Sequence, residues 1–412
     1  MTQQEEAAAR MSDWWAGRGP DPVHGPQQFR LHGYAGSGKT TLAKNFPAQF
    51  GLAHGEDGIL YAAYTGKAAQ VLMSKGCPAS TLHSLIYIPQ AKGRAELREM
   101  EREIAEAELS DDFRLTKAHA KKIAKRDKMA EDLSQPGFLL NEESPLRDAR
   151  LLVVDECSMV DEEMAADLLG FGCRVLILGD PGQLPPVGGA GAFDLDPDCF
   201  LTEIYRQEAG DPIIDLATMA RQGRPIKPGK YGDSRAYKLL SAWRYAEFDQ
   251  VIVGKNATRA RICAGMRKGL GRKGWKPEPE DKIIVLENNK ILQVINGQQF
   301  TVTECKEADA DWVTELAVTD DEGNEREIRC WSAPFRGGLD GEKKIKQTEY
   351  HTRQLNVFAT WGHAITAHKS QGSQWESVLV MDESRVFRAD AHRWLYTAIT
   401  RASANVTIIR PA

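Results

Sequence analysis

Eight residues near the start of the chain, Gly33-Tyr34-Ala35-Gly36-Ser37-Gly38-Lys39-Thr40, place a Gly-Lys-Thr triplet after a glycine with four residues between. That spacing suits phosphate binding. Glycines let successive backbone N–H groups turn toward phosphate oxygens with no Cβ in the way. A helix opening just behind them adds the positive end of its dipole. Lys39 then reaches the outer phosphates, and the Thr40 hydroxyl holds Mg2+. Further on, Leu151-Leu152-Val153-Val154 ends in two adjacent carboxylates, Asp155 and Glu156. Asp155 is the second candidate for the metal, through water. Glu156 is the candidate to orient and polarise the water that attacks a terminal phosphate. Gln183, in Gly179-Asp180-Pro181-Gly182-Gln183, is placed to sense that phosphate or its water. Phosphoryl transfer also needs cations against transition-state charge, and Arg206 and Arg401 are the candidates.

These groups need rigid elements behind them. Residues 29–32, 59–64, 151–154 and 175–178 read as short buried strands, with helical stretches at 41–46 and 161–169. Apolar runs spaced by helices imply a parallel sheet. Residues 92–132 break the pattern. The stretch 96–112 carries eight acids against Arg98 and Arg102, and 114–128 carries seven bases against Asp127. Two oppositely charged, self-paired helices inserted in the first domain are the simplest account. A partner-binding arm is the alternative. Between 281 and 350, short β-branched runs alternate with Asn296-Gly297 and Asp321-Glu322-Gly323-Asn324 turn signals. That predicts a small antiparallel barrel. Strand and helix signals resume from Leu355.

Composition bounds the rest. The chain has 412 residues, enough for two to three domains at roughly 150 residues each. Hydrophobic residues make up 42% and charged residues 27%, which excludes a disordered chain. No apolar run reaches the roughly 18 residues of a membrane span, and the first ten residues lack the apolar core of a signal peptide. A soluble, cytoplasmic protein with no membrane partner is expected, a viral protein in a host cell included. Seven cysteines without C-x-x-C spacing argue for reduced thiols rather than disulfides or zinc. Net charge is −5. Even so, residues 251–277 hold eight bases and no acid. That run is either a phosphate-binding track or a solvated face.

The ordered motifs at 33–41, 64–69, 81–84, 153–160, 179–187, 201–207, 364–375 and 396–402 resemble those of superfamily 1 helicases, subgroup B, of the RecD/Dda type. The resemblance covers nearly the whole chain. It implies an α/β fold of two RecA-like parallel-sheet domains with ATP bound between them, divided here as 1–200 and as 201–280 with 351–412. Residues 281–350 are then a Src-homology-3-like barrel inserted in the second domain. It implies ATP and Mg2+ as cofactors, with Gly33, Ala35, Gly36, Ser37, Gly38, Lys39, Thr40, Thr41 and Gly372 around the nucleotide. Tyr205 then stacks on adenine, and Gln4, followed by Ala7, reads its edge, one residue closer to Thr2 than in the family. Gln183 takes a coupling role, and Arg206 and Arg401 become arginine fingers of the second domain. The charged insertion at 92–132 stands where the family carries a duplex-splitting pin, although it reads as helical rather than as a β-hairpin.

By the same resemblance, Thr65, Lys67, Thr81 and His83 track a DNA strand on the first domain, and Thr366, His368 and Lys369 do so on the second. Hydroxyls and ammonium groups at helix starts suit phosphate contacts that position without reading sequence. Thr65 and Thr81 serve equally as helix caps. Asn256, Arg259 and Arg267 lie in the basic run and are candidates to line the channel. Tyr64 is a candidate to stack on a base. The expected activity is ATP-driven 5′-to-3′ movement on single-stranded DNA and unwinding of tailed duplexes, with a replication or repair protein docking on 92–132. An RNA helicase, or an ATP-gated clamp that remodels protein partners without unwinding, are the rival readings.

Overall fold

The computed structural model describes residues 2–88, 97, 99–104, 119, 122–123, 125–126, 139–186, 191–203, 211–238, 242–289, 291–306 and 311–410. Most of the charged 92–132 insertion, and both Tyr205 and Arg206, lie outside the described residues.

The first layer contains α1 (Gln3–Ala16), β1 (Gln28–Gly33), α2 (Lys39–Ala48), β2 (Ile59–Ala63), α3 (Gly66–Ser74), β3 (Ala79–Thr81), α4 (Leu82–Ile86), β4 (Tyr87–Ile88), β5 (Leu139–Leu140), β6 (Leu151–Asp155), α5 (Glu162–Gly170), β7 (Arg174–Gly179) and β8 (Cys199–Leu201). Six of these strands form a parallel sheet in the order β3-β2-β6-β7-β1-β8. The apolar runs are continuous because both faces are covered. On β6, Leu151 and Val153 pack with α1, α2 and α3 residues, while Leu152 and Val154 pack with Leu82, Ile86 and Met164. Helix α1 opens with a capping box between Thr2 and Glu5 and buries Ala7, Met11 and Trp14. Those spacings put all three on one stripe, and Trp14 stacks on Phe46 of α2. Strand β8 pairs with β1 from Leu31–Cys199 to Gly33–Leu201, so this layer extends past residue 200.

The second layer contains α6 (Pro212–Arg221), β9 (Gly229–Tyr231), β10 (Ser234–Tyr237), β11 (Gln250–Val253) and α7 (Asn256–Gly269). The chain then leaves through an insertion and returns. The insertion comprises β12 (Lys282–Val285), β13 (Gln299–Lys306), β14 (Val313–Asp320), β15 (Glu325–Trp331), α8 (Ala333–Lys346), α9 (Tyr350–Arg353) and β16 (Ala359–Trp361). The returning elements are β17 (Ala364–Thr366), α10 (Ala367–Ser370), β18 (Trp375–Met381), α11 (Ala391–Ile399) and β19 (Ala402–Ile409). The second sheet runs β17-β11-β18-β19-β10-β9, parallel except at the β10–β9 edge. The protein is therefore an α/β chain of two RecA-like layers.

The inserted sheet is antiparallel, in the order β15-β14-β13-β12-β16. An isolated Val357–Cys330 bridge brings the segment leading into β16 beside β15, so the sheet curls around Phe300, Leu316, Ile328 and Phe335. Its exit and re-entry are pinned at one buried carboxylate. Asp281 accepts from Arg267 Nε at 3.0 Å and from His363 Nε2 at 2.9 Å, and it also accepts from Arg272. The Arg267 guanidinium lies 3.9 Å over the Trp361 ring. Arg259, likewise buried, makes two bonds to Glu342 of α8 at 2.7 and 2.8 Å. These are two of the residues expected to line a strand channel, and in the structure both have acidic partners. Acids outside the 251–277 run, Asp281 and Glu342, claim both of them.

Candidate nucleotide site between the two layers

Strand β1 runs straight into the phosphate loop, and Gly38, at φ 84°, turns the chain into α2. No side chain caps that helix, so its first N–H groups are left for a ligand. Lys39 folds back, with Nζ 2.7 Å from the Gly33 carbonyl and 3.1 Å from that of Tyr34. The Thr40 hydroxyl donates to Asp155 Oδ2 at 2.9 Å, while Asp155 Oδ1 accepts from the Glu156 amide at 2.8 Å. Glu156 sits in the left-handed region at φ 54°, ψ 47°. A non-glycine residue there stores about 1–3 kcal/mol, a cost found mostly at functional sites. Burial pushes its carboxyl above the usual range. Asp155 and Asp180 add to the rise, and Arg401 and Lys39 oppose it.

These groups face a cleft of about 450 Å3 between the layers, closed on the far side by Gly372, Ser373, Gln374, Thr400 and Arg401. Ala35, Gly36, Thr41 and Gln183 line it too. Gly372 has φ 79°, and a Cβ there would fall 2.8 Å from Ala68 and 2.9 Å from the Thr65 hydroxyl. Only glycine lets the second layer approach α3 so closely. The Arg401 guanidinium is buried and held by the Thr397 carbonyl at 3.1 Å, the Thr400 hydroxyl at 3.1 Å and the Ser373 carbonyl at 3.4 Å. Gln183 is buried, and its Oε1 has no partner among the described residues. The Ser37 hydroxyl is likewise buried and unpaired. Gln4 reaches the loop from α1, donating to the Ser37 carbonyl at 2.9 Å. Two residues not singled out in the sequence, Tyr396 and Asp180, sit at the same boundary. Each falls inside a recognised motif, but nothing in the sequence pairs them.

The strand-contact candidates sit on both layers. Thr65 and Thr81 cap α3 and α4, accepting from Ala68 N at 3.1 Å and Ser84 N at 3.3 Å. Tyr64 packs edge-on to His83. Lys67 pairs with Asp321 at the tip of the β14–β15 hairpin, at 2.7 Å, and Ile295 packs against Gly66. On the second layer Thr366 precedes α10 with no side-chain cap bond, and His368 packs on Phe387. Lys369 reaches Asn296 at 3.3 Å. Burial, with Arg259 and Lys346 nearby, pushes its ammonium down to about 8. Asn256 is exposed at the start of α7.

A phosphate loop after β1, paired carboxylates at the end of β6 and arginine supplied across a cleft define a P-loop nucleotide-binding protein. The family profile described as AAA domain matches residues 24–236, just over half of the chain, and that of the UvrD-like helicase C-terminal domain matches residues 362–409. The chain belongs to the AAA domain family, and its sequence is similar to superfamily 1 helicases of the RecD and Dda type. The ATP-dependent RecD2 DNA helicase of Deinococcus radiodurans is 28% identical over 277 residues, which are 61% of this chain and 35% of that protein. The ATP-dependent DNA helicase dda of Enterobacteria phage T4 is 28% identical over 207 residues, 47% and 38% respectively. The chain thus spans little more than a third of the length of these curated relatives. Among solved structures, the Pif1 helicase from Candida albicans superposes with a TM-score of 0.53 at 16% identity, covering 99% of this chain and 94% of that one. A Bacteroides Pif1 helicase in complex with ADP-AlF3 and ssDNA gives 0.51 at 16% identity, covering 99% and 92%. These last two likenesses are of fold. Among the described residues, no helix is long and apolar enough to cross a membrane.

Proposed function

We propose that this chain is an ATP-dependent DNA helicase that moves 5′ to 3′ along single-stranded DNA. The observation that carries the reading is the composition of the cleft. One layer supplies Lys39, Thr40, Asp155 and Glu156, and the other supplies Arg401 and Gly372. The RecD2 and dda relatives, both ATP-dependent DNA helicases, point the same way.

Mg2+ fits the Thr40–Asp155 pair. A hydroxyl and a carboxylate 2.9 Å apart beside the phosphate loop are the hard oxygen donors that ion prefers. When bound, the ion neutralises phosphate charge. The loop amides cradle the phosphates. Lys39 leaves the Gly33 and Tyr34 carbonyls to reach the outermost one. Glu156, with its raised pKa, takes a proton from the attacking water. Arg401 and Arg206 offset the charge that develops on the transferred group. Gln183 reports that event to the rest of the chain. Thr65, Lys67, Thr81 and His83 on one layer, and Thr366, His368 and Lys369 on the other, grip the strand backbone. Closing and opening the cleft moves the two grips past each other. The curled sheet of 282–361 is the counterpart of the Src-homology-3-like insertion.

The test is ATP hydrolysis by the wild type and Lys39→Ala, with and without single-stranded DNA, alongside unwinding of 5′- and 3′-tailed duplexes. DNA-stimulated hydrolysis that Lys39→Ala abolishes, with unwinding from the 5′ tail only, is the expected result. Stimulation by RNA alone would replace the substrate. Stimulation with no unwinding from either tail would replace the helicase with a remodelling ATPase.

A further inference from the structure

The second layer touches not only the cleft but the phosphate loop itself. The Ala35 amide donates to the Tyr396 hydroxyl of α11 at 2.9 Å. That hydroxyl donates in turn to Asp180 Oδ2 at 2.8 Å. The ring and the carboxylate are both buried, so the hydroxyl is shared between the two layers away from water. One residue further along α11, the Thr397 hydroxyl accepts from the Leu184 amide at 3.0 Å. Gln371, just beyond α10, donates to the Leu184 carbonyl at 3.2 Å. The 180–184 turn that carries Gln183 is therefore seated on the second layer from both sides. The same helix ends two residues before Arg401, whose Nε is held by the Thr397 carbonyl. A second, separate hold lies beside the first. The Arg221 guanidinium of α6 sits 3.8 Å over the Tyr34 ring and donates to its hydroxyl at 2.6 Å.

We infer that Tyr396 is a positioning residue. Its hydroxyl fixes the phosphate loop and the 180–184 turn in register on α11, so that Gln183 and Arg401 face the terminal phosphate together. The argument is geometric. Within α11, Tyr396 and Thr397 take hold of the first layer at three points: the loop amide, the strand-end carboxylate and the turn amide. Arg401 follows rigidly from the same helix. A phosphate loop that shifts when it closes on nucleotide must break the Ala35–Tyr396 bond or carry α11 with it. Burial together with Asp180 holds the Tyr396 phenol far above its ordinary range, so it stays a donor at every working pH. Tyr396 does not reach the reacting atoms; it acts through the groups it aligns.

This inference rests on the ATP-hydrolysis reading above, so wild type and Lys39→Ala are measured beside the variants. Tyr396→Phe keeps the ring and removes only the shared hydroxyl. Loss of a hydrogen bond to a charged group corresponds to about tenfold or more in rate. We expect kcat for DNA-stimulated hydrolysis to fall by about that factor, with KM for ATP changed less than about twofold. A merely structural role would leave a second readout untouched: the ratio of single-strand affinities with and without ADP-aluminium fluoride, which reports coupling between the sites. In Tyr396→Phe that ratio moves toward one. Asp180→Ala attacks the same link from the first layer, while also freeing the Gly182 amide that Oδ1 accepts from at 3.0 Å; the losses in the double variant are less than additive, because both substitutions remove the Tyr396–Asp180 bond. Wild-type kcat and coupling in Tyr396→Phe overturn the inference. So does a lowered kcat with intact coupling, or additive losses in the double variant. If Tyr396→Phe does not fold, Asp180→Ala alone decides by the same two readouts. A wild type that hydrolyses no ATP overturns both readings, whereas an active wild type with an unimpaired Tyr396→Phe overturns this one alone.

Discussion

Replacing Arg267 by alanine separates two accounts of the basic run at 251–277. In the structure that guanidinium bonds Asp281 at 3.0 and 3.1 Å and the carbonyls of Gly274 and Lys276 at 2.7 Å each, with Glu278 3.8 Å away. Removing one partner of a buried ion pair costs about 3–5 kcal/mol, because the other charge stays buried. Asp281 keeps Arg272 and His363, which places the cost near the lower end, about 3 kcal/mol. For a domain of roughly 150–250 residues each kcal/mol moves the midpoint by about 2–4 °C, so the drop is about 6–12 °C. The sign of the pH dependence is fixed too. Burial alone would raise the Asp281 carboxyl, but bonds from His363 and Arg267 outweigh it and hold the group below its usual range. A depressed carboxylate contributes stability above its unfolded pKa of about 3.9 and loses it as pH falls through the folded value. The destabilisation is therefore full at neutral pH and shrinks in acid. Thermal unfolding supplies the first half of the test. The second is single-strand affinity across a salt series, where each lost phosphate contact lowers the slope by about 0.7. A midpoint within about 2 °C of wild type, together with a slope reduced by about that amount, would refute the reasoning and return Arg267 to the strand.

The other expectations follow from single groups. Glu156→Gln should bind nucleotide normally but hydrolyse it about 10²–10⁴ times more slowly; in the wild type, turnover should decline on the acid side above the ordinary glutamate range, because burial raises that carboxyl, and an acid limb at or below pH 4 would count against it. Lys369 loses its charge as pH rises through about 8, so single-strand affinity should weaken between pH 7 and 9, and Lys369→Gln should bind more weakly with no such trend; a flat wild-type profile removes Lys369 from the interface. Asp194 is pushed up to about 6, chiefly by burial, and its Oδ1 has no partner. A raised carboxyl favours the folded state below its unfolded pKa and loses that contribution as pH rises through about 6, so Asp194→Asn should gain about 2–3 kcal/mol at pH 8 and nothing near pH 4 in chemical denaturation.

Much of the first layer was legible because its strands are apolar on both faces and end in glycine or aspartate. Strands β6 and β7 read as uninterrupted apolar runs, whereas β1 alternates Phe29 and Leu31 with Arg30 and His32; Asp161, the N-cap of α5, marked that helix's start. Strand β8 was not legible. Three residues, Cys199–Leu201, are too few for a period, and their pairing with β1 is long-range. The phosphate-loop, Asp155 and Glu156 positions could be read because that chemistry depends on local spacing. The basic run at 251–277 is the complementary case. Counting charge along the chain shows eight bases without an acid, but ion pairs form in space, and Asp281 and Glu342 lie outside the window. Tyr396 and Asp180 stand 216 residues apart, and no local pattern links a phenol to a carboxylate at that distance.

The chain passes from the first sheet to the second once, between Glu203 and Asp211. Gln3 of α1 grips the near side of that passage, accepting from the Thr202 and Glu203 amides at 2.8 and 3.0 Å, while its neighbour Gln4 holds the phosphate loop. Among the described residues the two layers also meet through contacts that do not depend on that passage, including Arg221 on Tyr34, Lys67 on Asp321 and the Tyr396 hydroxyl on the Ala35 amide. The first turn of α1 therefore ties the start of the passage to the phosphate loop, because adjacent residues hold Thr202 and Ser37. A shift on one side of that turn is transmitted to the other across a single peptide bond.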